Sequence, residues 1–182
     1  MIPVNGFILA GGKSRRMGRD KALLDWHGRT LLDHLTEVLS SAADRVQVVG
    51  RAPLPDRTPG LGPLSGIATA LAATDTDANL VIAVDLPLLT GEFLKYLRSR
   101  LETSDQPLLA CKTGSEFPLC LGIRRSLLPE LQKRLAAGKL SVQGFIENCG
   151  AEIILEPQLR EAAFDPSMFR NINTLEDYRS AL

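Results

Sequence analysis

The residues best suited to chemistry lie near the start of the chain, in the segment 9–21, which reads LAGGKSRRMGRDK. The pair Gly11-Gly12 follows a short apolar run, and several cations come after it, among them Lys13, Arg15, Arg16 and Lys21. Glycine lets the backbone approach a ligand closely, and lysine and arginine side chains neutralise phosphate oxygens. The segment therefore predicts a loop that wraps a polyphosphate, with a solvated basic loop as the alternative.

Two commoner phosphate-binding motifs are excluded by their spacing. A Walker A loop requires a glycine five positions before the glycine of Gly12-Lys13-Ser14, and Phe7 stands there. A dinucleotide fingerprint requires Gly-x-Gly-x-x-Gly at the start of a helix, whereas Gly11 and Gly12 are adjacent. The segment therefore needs a different interpretation.

A carboxylate, Asp85, directly follows the apolar run 80–84, and Pro87 comes two residues later. The carboxyl ends of parallel strands normally open onto a ligand crevice. Mg²⁺ prefers oxygen ligands and keeps waters, so one or two protein groups and phosphate oxygens can hold it. We therefore predict that Asp85 binds Mg²⁺, with a turn or helix-cap role as the alternative. His27 and His34 lack metal-ligand spacing and are predicted to be surface or packing residues.

Length and composition predict one globular domain, residues 1–182, with 45% hydrophobic and 23% charged residues. Lys plus Arg number 21, as do Asp plus Glu, so no global field attracts nucleic acid or an anionic membrane. Three cysteines, Cys111, Cys120 and Cys149, form no C-x-x-C pair, which favours a reducing cytoplasm. Neither a transmembrane helix nor a signal peptide is predicted.

Short apolar runs alternate with helical patterns along the chain. The predicted strands are Gly6–Ala10, Arg45–Val49, Leu80–Val84, Leu108–Cys111 and Glu152–Leu155. Helices are predicted after Thr30, after Gly66, after Thr90, over Leu127–Leu135 and over Thr174–Leu182, with Thr90 and Thr174 as caps. This alternation predicts an α/β protein with a mainly parallel sheet.

Segment 9–21 matches the pattern Leu-x-Gly-Gly-x-x-x-Arg-Met-Gly-x-x-Lys position by position. On this pattern the chain resembles the nucleotidyltransferases, and most closely the molybdenum cofactor guanylyltransferase family. Segments resembling further family motifs follow in family order: 56–66, 84–87 and 171–174. The resemblance implies a three-layer α/β/α fold with a mainly parallel, mixed central sheet, similar to that of nucleotide-diphospho-sugar transferases.

The resemblance also implies a set of site residues. Charge stabilisation during catalysis is expected from Arg16, Lys21 and Asp85, with Mg²⁺ on Asp85. The expected nucleotide contacts are Leu9, Ala10, Gly11, Gly12, Ser14, Lys21, Asp56, Gly62, Pro63 and Asp85. Asn171 and Asn173 are expected beside the acceptor, since alternate residues of an extended segment point the same way.

Two positions depart from the family pattern, and one bears on the choice of base. Phe117-Pro118 stands where relatives tend to have His-Pro on the acceptor side, and Gly50 stands where relatives often carry asparagine near the base. Relatives that use GTP carry Leu-Ala-Gly-Gly, whereas those that use CTP carry Leu-Ala-Ala-Gly. The glycine at position 11 therefore favours GTP.

The reaction implied by the resemblance is transfer of GMP from GTP to the terminal phosphate of molybdopterin or Mo-molybdopterin, with release of pyrophosphate. Molybdoenzyme chaperones or other cofactor-synthesis proteins are further expected partners; nucleic acid and membranes are not. The alternatives are a cytidylyltransferase for the same pterin, a sugar-phosphate nucleotidyltransferase, and a GTP-binding module that escorts the cofactor without making it.

Overall fold

Eight strands occur in the part of the chain that the computed structural model describes, residues 2–11 and 20–182. In chain order they are β1 (Val4–Leu9), β2 (Asp25–Trp26), β3 (Arg29–Thr30), β4 (Arg45–Val49), β5 (Ala78–Ala83), β6 (Leu108–Lys112), β7 (Cys120–Arg124) and β8 (Glu152–Leu155). β2 and β3 form a small hairpin, and the other six form one sheet in the order β4-β1-β5-β7-β6-β8. β7 is antiparallel to β5 and β6, while the other neighbouring pairs are parallel. The predicted mainly parallel, mixed sheet is confirmed.

All five predicted strands are present, with their ends shifted by at most two residues. β7 was missed because its sequence, CLGIR, contains a glycine and does not alternate between apolar and polar residues. Its first four residues are buried, since β7 lies inside the sheet between β5 and β6 and is covered on both faces. A short strand of this kind lacks the pattern that identifies strands from sequence.

Seven α-helices occur among the described residues: α1 (Leu31–Ser40), α2 (Pro63–Ala73), α3 (Gly91–Thr103), α4 (Leu128–Ala136), α5 (Val142–Asn148), α6 (Glu156–Glu161) and α7 (Leu175–Ala181). The apolar faces of α1, α3 and α6 share one buried core with the sheet, and those of α2, α4 and α5 share a second core. Neighbouring residues of β1 alternate between them, Ile8 in the first core and Phe7 in the second. The expected three-layer α/β/α arrangement is therefore confirmed.

None of the helices in the described ranges is long and apolar enough to cross a membrane.

Local hydrogen bonds explain where several helices begin. The hydroxyl of Thr90 accepts a hydrogen bond from the backbone N–H of Phe93 at 3.2 Å, as predicted for a cap. The hydroxyl of Thr174 accepts from the N–H of Asp177 at 3.1 Å, and the Asp177 carboxylate accepts from the N–H of Thr174 at 2.8 Å. This second cap is a reciprocal capping box.

The start of α2 corrects the prediction that this helix begins after Gly66. The helix starts at Pro63 and is preceded by Gly62, which has a φ of +79°. Proline favours the first helical position because its fixed φ suits the helix and its missing N–H would lack a partner there. Residues 63–66 therefore belong to the first turn of α2 and not to the loop before it.

An aromatic cluster attaches the C-terminal part of the chain to α3. The Phe93 ring meets the rings of Phe164 and Phe169 edge to face, with centroids 5.4 Å and 5.1 Å apart. Phe93 is fully buried, and Phe169 ends a short 3₁₀ turn two residues before Asn171. The cluster therefore holds the segment that contains Asn171 and Asn173 against the main core.

We expect Phe93→Ala to lower the free energy of unfolding by about 3–5 kcal/mol, because the substitution leaves a cavity among packed rings. Urea denaturation followed by circular dichroism measures the change. The control is Leu182→Ala at a side chain that is 54% exposed, for which we expect a change below about 0.5 kcal/mol. If the urea midpoint of unfolding were the same for Phe93→Ala and the wild type, the assignment of this cluster to the core would be contradicted.

Candidate active site

A cavity of about 920 Å³ opens at the edge of the sheet where β1, β4 and β5 end. These strands are parallel and end in register, because Leu9 pairs with both Val49 and Ala83. The loops that follow them therefore start side by side, as in open α/β sheets that bind ligands at this edge. The predicted site residues that line the cavity are Leu9, Ala10, Gly11, Lys21, Asp56, Gly62, Pro63, Asp85 and Asn171.

The wall formed by residues 9–11 is held by backbone hydrogen bonds that continue the sheet. The N–H of Ala10 donates to the carbonyl of Val49 at 2.9 Å, and the N–H of Val84 donates to the carbonyl of Leu9 at 3.1 Å. Residues 9 and 10 are thereby fixed between the ends of β4 and β5. This backbone presents a rigid surface to whatever occupies the cavity.

Two glycines bring separate backbones into close contact beside this wall. A Cβ atom on Gly50 would lie 2.4 Å from the Cα and 2.5 Å from the N of Gly11, and Gly50 has a φ of +91°. Both the lack of space and the left-handed backbone exclude a side chain at position 50 unless the backbone shifts. No contact was predicted for Gly50 from the sequence, and the structure shows that its backbone packs against Gly11.

Lys21 and Asp85 form a charge pair in the cavity. The Nζ of Lys21 lies 3.6 Å from the Oδ2 of Asp85, and their side chains are 17% and 25% exposed. Burial raises the pKa of Asp85, while the Lys21 ammonium acts in the opposite direction. Because the pair is largely withdrawn from water, its attraction is screened less than that of a surface pair.

The two C-terminal asparagines make different contacts. Asn171 lines the cavity, whereas the Oδ1 of Asn173 accepts a hydrogen bond from the Nζ of Lys21 at 2.9 Å. Ile172 between them is buried, and its N–H donates to the carbonyl of Asp85 at 2.9 Å. The two asparagines are exposed on either side of the buried Ile172, but among the described residues only Asn171 lines the cavity, while Asn173 contacts the lysine.

Asp56 is held by a polar network at the start of α2. Its Oδ1 accepts hydrogen bonds from the N–H of Thr58 and the hydroxyl of Thr69, both at 3.1 Å, and from the hydroxyl of Ser65. Among the described residues, every hydrogen bond to this carboxylate reaches Oδ1. The Oδ2 atom therefore keeps its capacity to accept hydrogen bonds from a ligand in the cavity.

The oxygen atoms in the cavity suit a hard cation with few protein ligands. Asp85 supplies a largely buried carboxylate, and Asn171 supplies an amide on the same cavity wall. Within residues 2–11 and 20–182, no group of three or more His, Cys, Asp or Glu side chains could hold a metal. A cation bound here would have to complete its coordination with water and phosphate oxygens, as Mg²⁺ commonly does.

Three predicted site residues, Gly12, Ser14 and Arg16, lie outside the described residues. The chain is described again from Asp20, whose side chain lines the cavity. The carboxylate of Asp20 pairs with Arg51, and the hydrogen bond from Arg51 lowers the pKa of Asp20. Arg51 was not assigned to the site from the sequence.

Part of the lining is apolar. Phe117, Leu119 and Val142 line the cavity, and the Nζ of Lys112 lies 5.4 Å from the centroid of the Phe117 ring. Phe117 was expected on the acceptor side, where it departs from the family pattern, whereas Val142 begins α5, a helix that was not predicted. A flat apolar side chain of this kind can pack against a planar ring.

The histidines and cysteines lie away from the cavity lining given by the described residues. Burial raises the pKa of Cys111 to about 12 and raises the pKa of Cys120 well above its ordinary value, so both thiols stay protonated and unreactive. His34 has a packing role. Its Nε2 lies 2.9 Å from the carbonyl of Pro87, and its Nδ1 lies 2.9 Å from the Nη2 of Arg29.

Comparisons with known proteins give a consistent family. The family model described as MobA-like NTP transferase domain matches residues 6–152. The chain is 36% identical to the probable molybdenum cofactor guanylyltransferase of Carboxydothermus hydrogenoformans, covering 96% of this chain and 93% of that protein. It is 34% identical to the molybdenum cofactor guanylyltransferase of Syntrophotalea carbinolica, covering 94% and 87%. The crystal structure of molybdopterin-guanine dinucleotide biosynthesis protein A from Archaeoglobus fulgidus superposes with a TM-score of 0.77 at 23% identity, covering 97% and 96% of the two chains.

We expect His34 to make the stability of the protein depend on pH below neutrality. Arginine only donates, so the Nδ1 of His34 accepts from Arg29 and the protonated Nε2 donates to Pro87. Burial lowers the pKa of His34 in the folded protein, so the unfolded chain takes up a proton first as the pH falls through about 6.5. The free energy of unfolding should therefore fall from about pH 7 downward and level off below the folded-state pKa.

Urea unfolding of the wild type and of His34→Gln across this pH range isolates the contribution of His34. The variant should lose part of the wild-type decrease in stability on acidification, whereas His27→Gln, at the only other histidine, should keep it. Identical pH profiles for the wild type and His34→Gln would contradict this prediction.

Proposed function

The chain belongs to the MobA-like NTP transferase family and is a nucleotidyltransferase, and from that premise we propose that it transfers GMP from GTP to the terminal phosphate of molybdopterin, with or without bound molybdenum. The product is the molybdopterin guanine dinucleotide cofactor, and pyrophosphate is released. The names and identities of the relatives from Carboxydothermus and Syntrophotalea support this reaction.

The observation that carries the proposal is the meeting of Lys21 and Asp85 in one cavity beside the backbone wall 9–11. An ammonium suits the phosphates of a nucleotide, and a carboxylate suits the divalent cation that accompanies them. The cavity volume of about 920 Å³ is ample for a nucleotide together with part of an acceptor. The same arrangement would have little use in a protein without an anionic ligand.

In the proposed reaction an oxygen of the acceptor phosphate attacks the α-phosphorus of GTP, and the bond from the α-phosphorus to the bridging oxygen breaks. The attacking oxygen is already anionic at neutral pH, so no side-chain base has to remove a proton. Bound Mg²⁺ would neutralise phosphate charge and align the reacting oxygens. Asp85 would hold that cation, and Asn171 on the same wall would face the acceptor side.

Lys21 would stabilise the charge that accumulates on the departing pyrophosphate. Its hydrogen bond to Asn173 and its proximity to Asp85 keep the ammonium at the cavity before phosphates arrive. Such preorganisation lowers the cost of assembling charges at the moment of reaction. Gly12, Ser14 and Arg16 lie outside the described residues. On the family resemblance, we propose that they contact the same phosphates.

The choice of guanine is supported by Asp56 more than by the glycine at position 11. A Cβ on Gly11 would lie 3.1 Å from the Cα of Gly50, so Gly11 also serves the packing of the wall. Asp56 offers a carboxylate oxygen with free accepting capacity in the cavity. Guanine presents two adjacent N–H donors on its Watson–Crick edge, either of which Oδ2 could accept, whereas the one donor of cytosine lies beside the N3 acceptor, whose lone pair would repel the carboxylate.

We expect pyrophosphate release when the protein is mixed with GTP, magnesium and molybdopterin, and much slower release with CTP, ATP or UTP. A coupled pyrophosphate assay with each nucleotide measures this, and omission of the pterin gives the background. Faster release with CTP would identify a cytidylyltransferase, and release with a sugar phosphate in place of the pterin would identify a sugar-phosphate nucleotidyltransferase. GTP binding without pyrophosphate release would favour the escort module.

We expect Asp85→Asn to reduce kcat/KM by about a hundredfold or more, because the neutral amide holds the divalent cation poorly at the reacting phosphates. Mn²⁺ binding in the presence of GTP, followed by electron paramagnetic resonance, gives a readout independent of turnover and should weaken in parallel. Asp105→Asn, at an exposed aspartate outside the cavity lining, is the control and should behave as the wild type. Wild-type turnover of Asp85→Asn throughout a magnesium titration would rule out Asp85 as the ligand.

A further inference from the structure

Two adjacent residues after β4 contact the chain on both sides of the predicted phosphate loop. The backbone of Gly50 packs against Gly11, and the Nη2 of Arg51 donates to the Oδ1 of Asp20. Gly50 is itself fixed, since its N–H donates to the carbonyl of Leu54 at 2.9 Å. Positions 11 and 20 are thus both attached to the turn that follows β4.

The carboxylate that Arg51 binds also sets the direction of the next residue, Lys21. The Oδ1 of Asp20 accepts a hydrogen bond from the N–H of Ala22 at 3.1 Å, and its carbonyl accepts from the N–H of Leu23 at 3.1 Å. These bonds cap the 3₁₀ turn Lys21–Leu23, from which the Lys21 side chain reaches Asp85 and Asn173. Arg51 therefore holds the residue on which the orientation of this turn depends.

Charge gives Arg51 a second role. Asp20 lines the same cavity as Lys21 and Asp85, whereas Arg51 is absent from the lining formed by residues 2–11 and 20–182. A carboxylate without a partner at this position would compete with the phosphates of an anionic ligand for the Lys21 ammonium. The guanidinium of Arg51 cancels that charge from behind the cavity wall.

We propose that Arg51 is a positioning residue of the nucleotide site, which neutralises Asp20 and fixes the turn that presents Lys21 to the phosphates. The inference rests on the proposed function, because it takes GTP as the ligand. Arg51 acts through Lys21 and does not touch the nucleotide. Because partly exposed ion pairs contribute little to folding stability, the effect of removing Arg51 should appear in ligand binding while folding is retained.

The test is calorimetric titration of magnesium and GTP, without acceptor, into the wild type, Arg51→Met, Lys21→Ala and the double variant. We expect the Kd for GTP to rise about fivefold in Arg51→Met and about tenfold or more in Lys21→Ala. If Arg51 acts through Lys21, the double variant should bind within about twofold of Lys21→Ala alone. Multiplicative losses in the double variant would mean that Arg51 acts independently, and would overturn the inference.

A control variant and a rescue variant test whether a loss of GTP affinity comes from the contact between Arg51 and Asp20. Arg160→Met removes one exposed cation with the same change in net charge, and should bind GTP as the wild type does. Asp20→Asn in the Arg51→Met background removes the uncompensated carboxylate and keeps an oxygen that can cap Ala22. This rescue should return the Kd to within about twofold of the wild type.

The outcomes separate the inference from the function on which it rests. Equal GTP affinity of the wild type and Arg51→Met, or failure of the rescue, would overturn the role of Arg51 and leave the proposed function standing. A wild-type protein that binds no GTP would overturn both. If Arg51→Met does not fold, Arg51→Gln takes its place in the same titrations, with the same expected and contradicting outcomes.

Discussion

A carboxylate held at the largely buried end of β5 is the constraint on which the rest of the site depends. Removing the charge of Asp85 from water is costly unless a positive partner lies nearby, and Lys21 fills that role in the structure. Ile172 and Asn173 then hold the two partners through the Asp85 carbonyl and the Lys21 ammonium. Since these residues come from the beginning, the middle and the end of the chain, the site is complete only when the sheet and the C-terminal segment are both in place.

The antiparallel strand β7, in the middle of the sheet, helps to form the cavity, as the parallel strands do. β1, β4 and β5 end at the cavity, whereas β7 begins there, because Ile82 near the end of β5 pairs with Cys120 at the start of β7. The N–H of Ala83 donates to the carbonyl of Leu119 at 2.8 Å and extends this pairing. The segment that carries Phe117 is thereby brought to the edge occupied by Asp85. The mixed sheet thus joins charged groups from the strand ends to an apolar wall from the approach to β7.

Sequence patterns predicted the structural features that depend on interactions between residues close together in the chain. The five apolar runs became strands, the threonine caps of α3 and α7 were confirmed, and Asp85 lies at a strand end facing the cavity. The contacts that complete the site join residues far apart in the chain, such as Lys21 with Asn173, and no periodicity or capping rule encodes them. The role of Gly50 could not be predicted from the sequence either, because its positive φ and its contact with Gly11 become visible only when β1 and β4 are paired.

The contact between Gly11 and Gly50 also changes how a signature motif should be interpreted. The glycine at position 11 favoured GTP in the sequence analysis, yet in this chain a methyl group there would lie 3.1 Å from the Cα of Gly50. The residue is therefore constrained by packing before any base is bound, and its identity alone cannot measure base preference. Asp56 is free of that ambiguity, since Thr58, Ser65 and Thr69 fix one of its oxygens and direct the carboxylate into the cavity. In the proposed function, recognition of the base would thus depend on a group that is oriented by its own hydrogen-bond network.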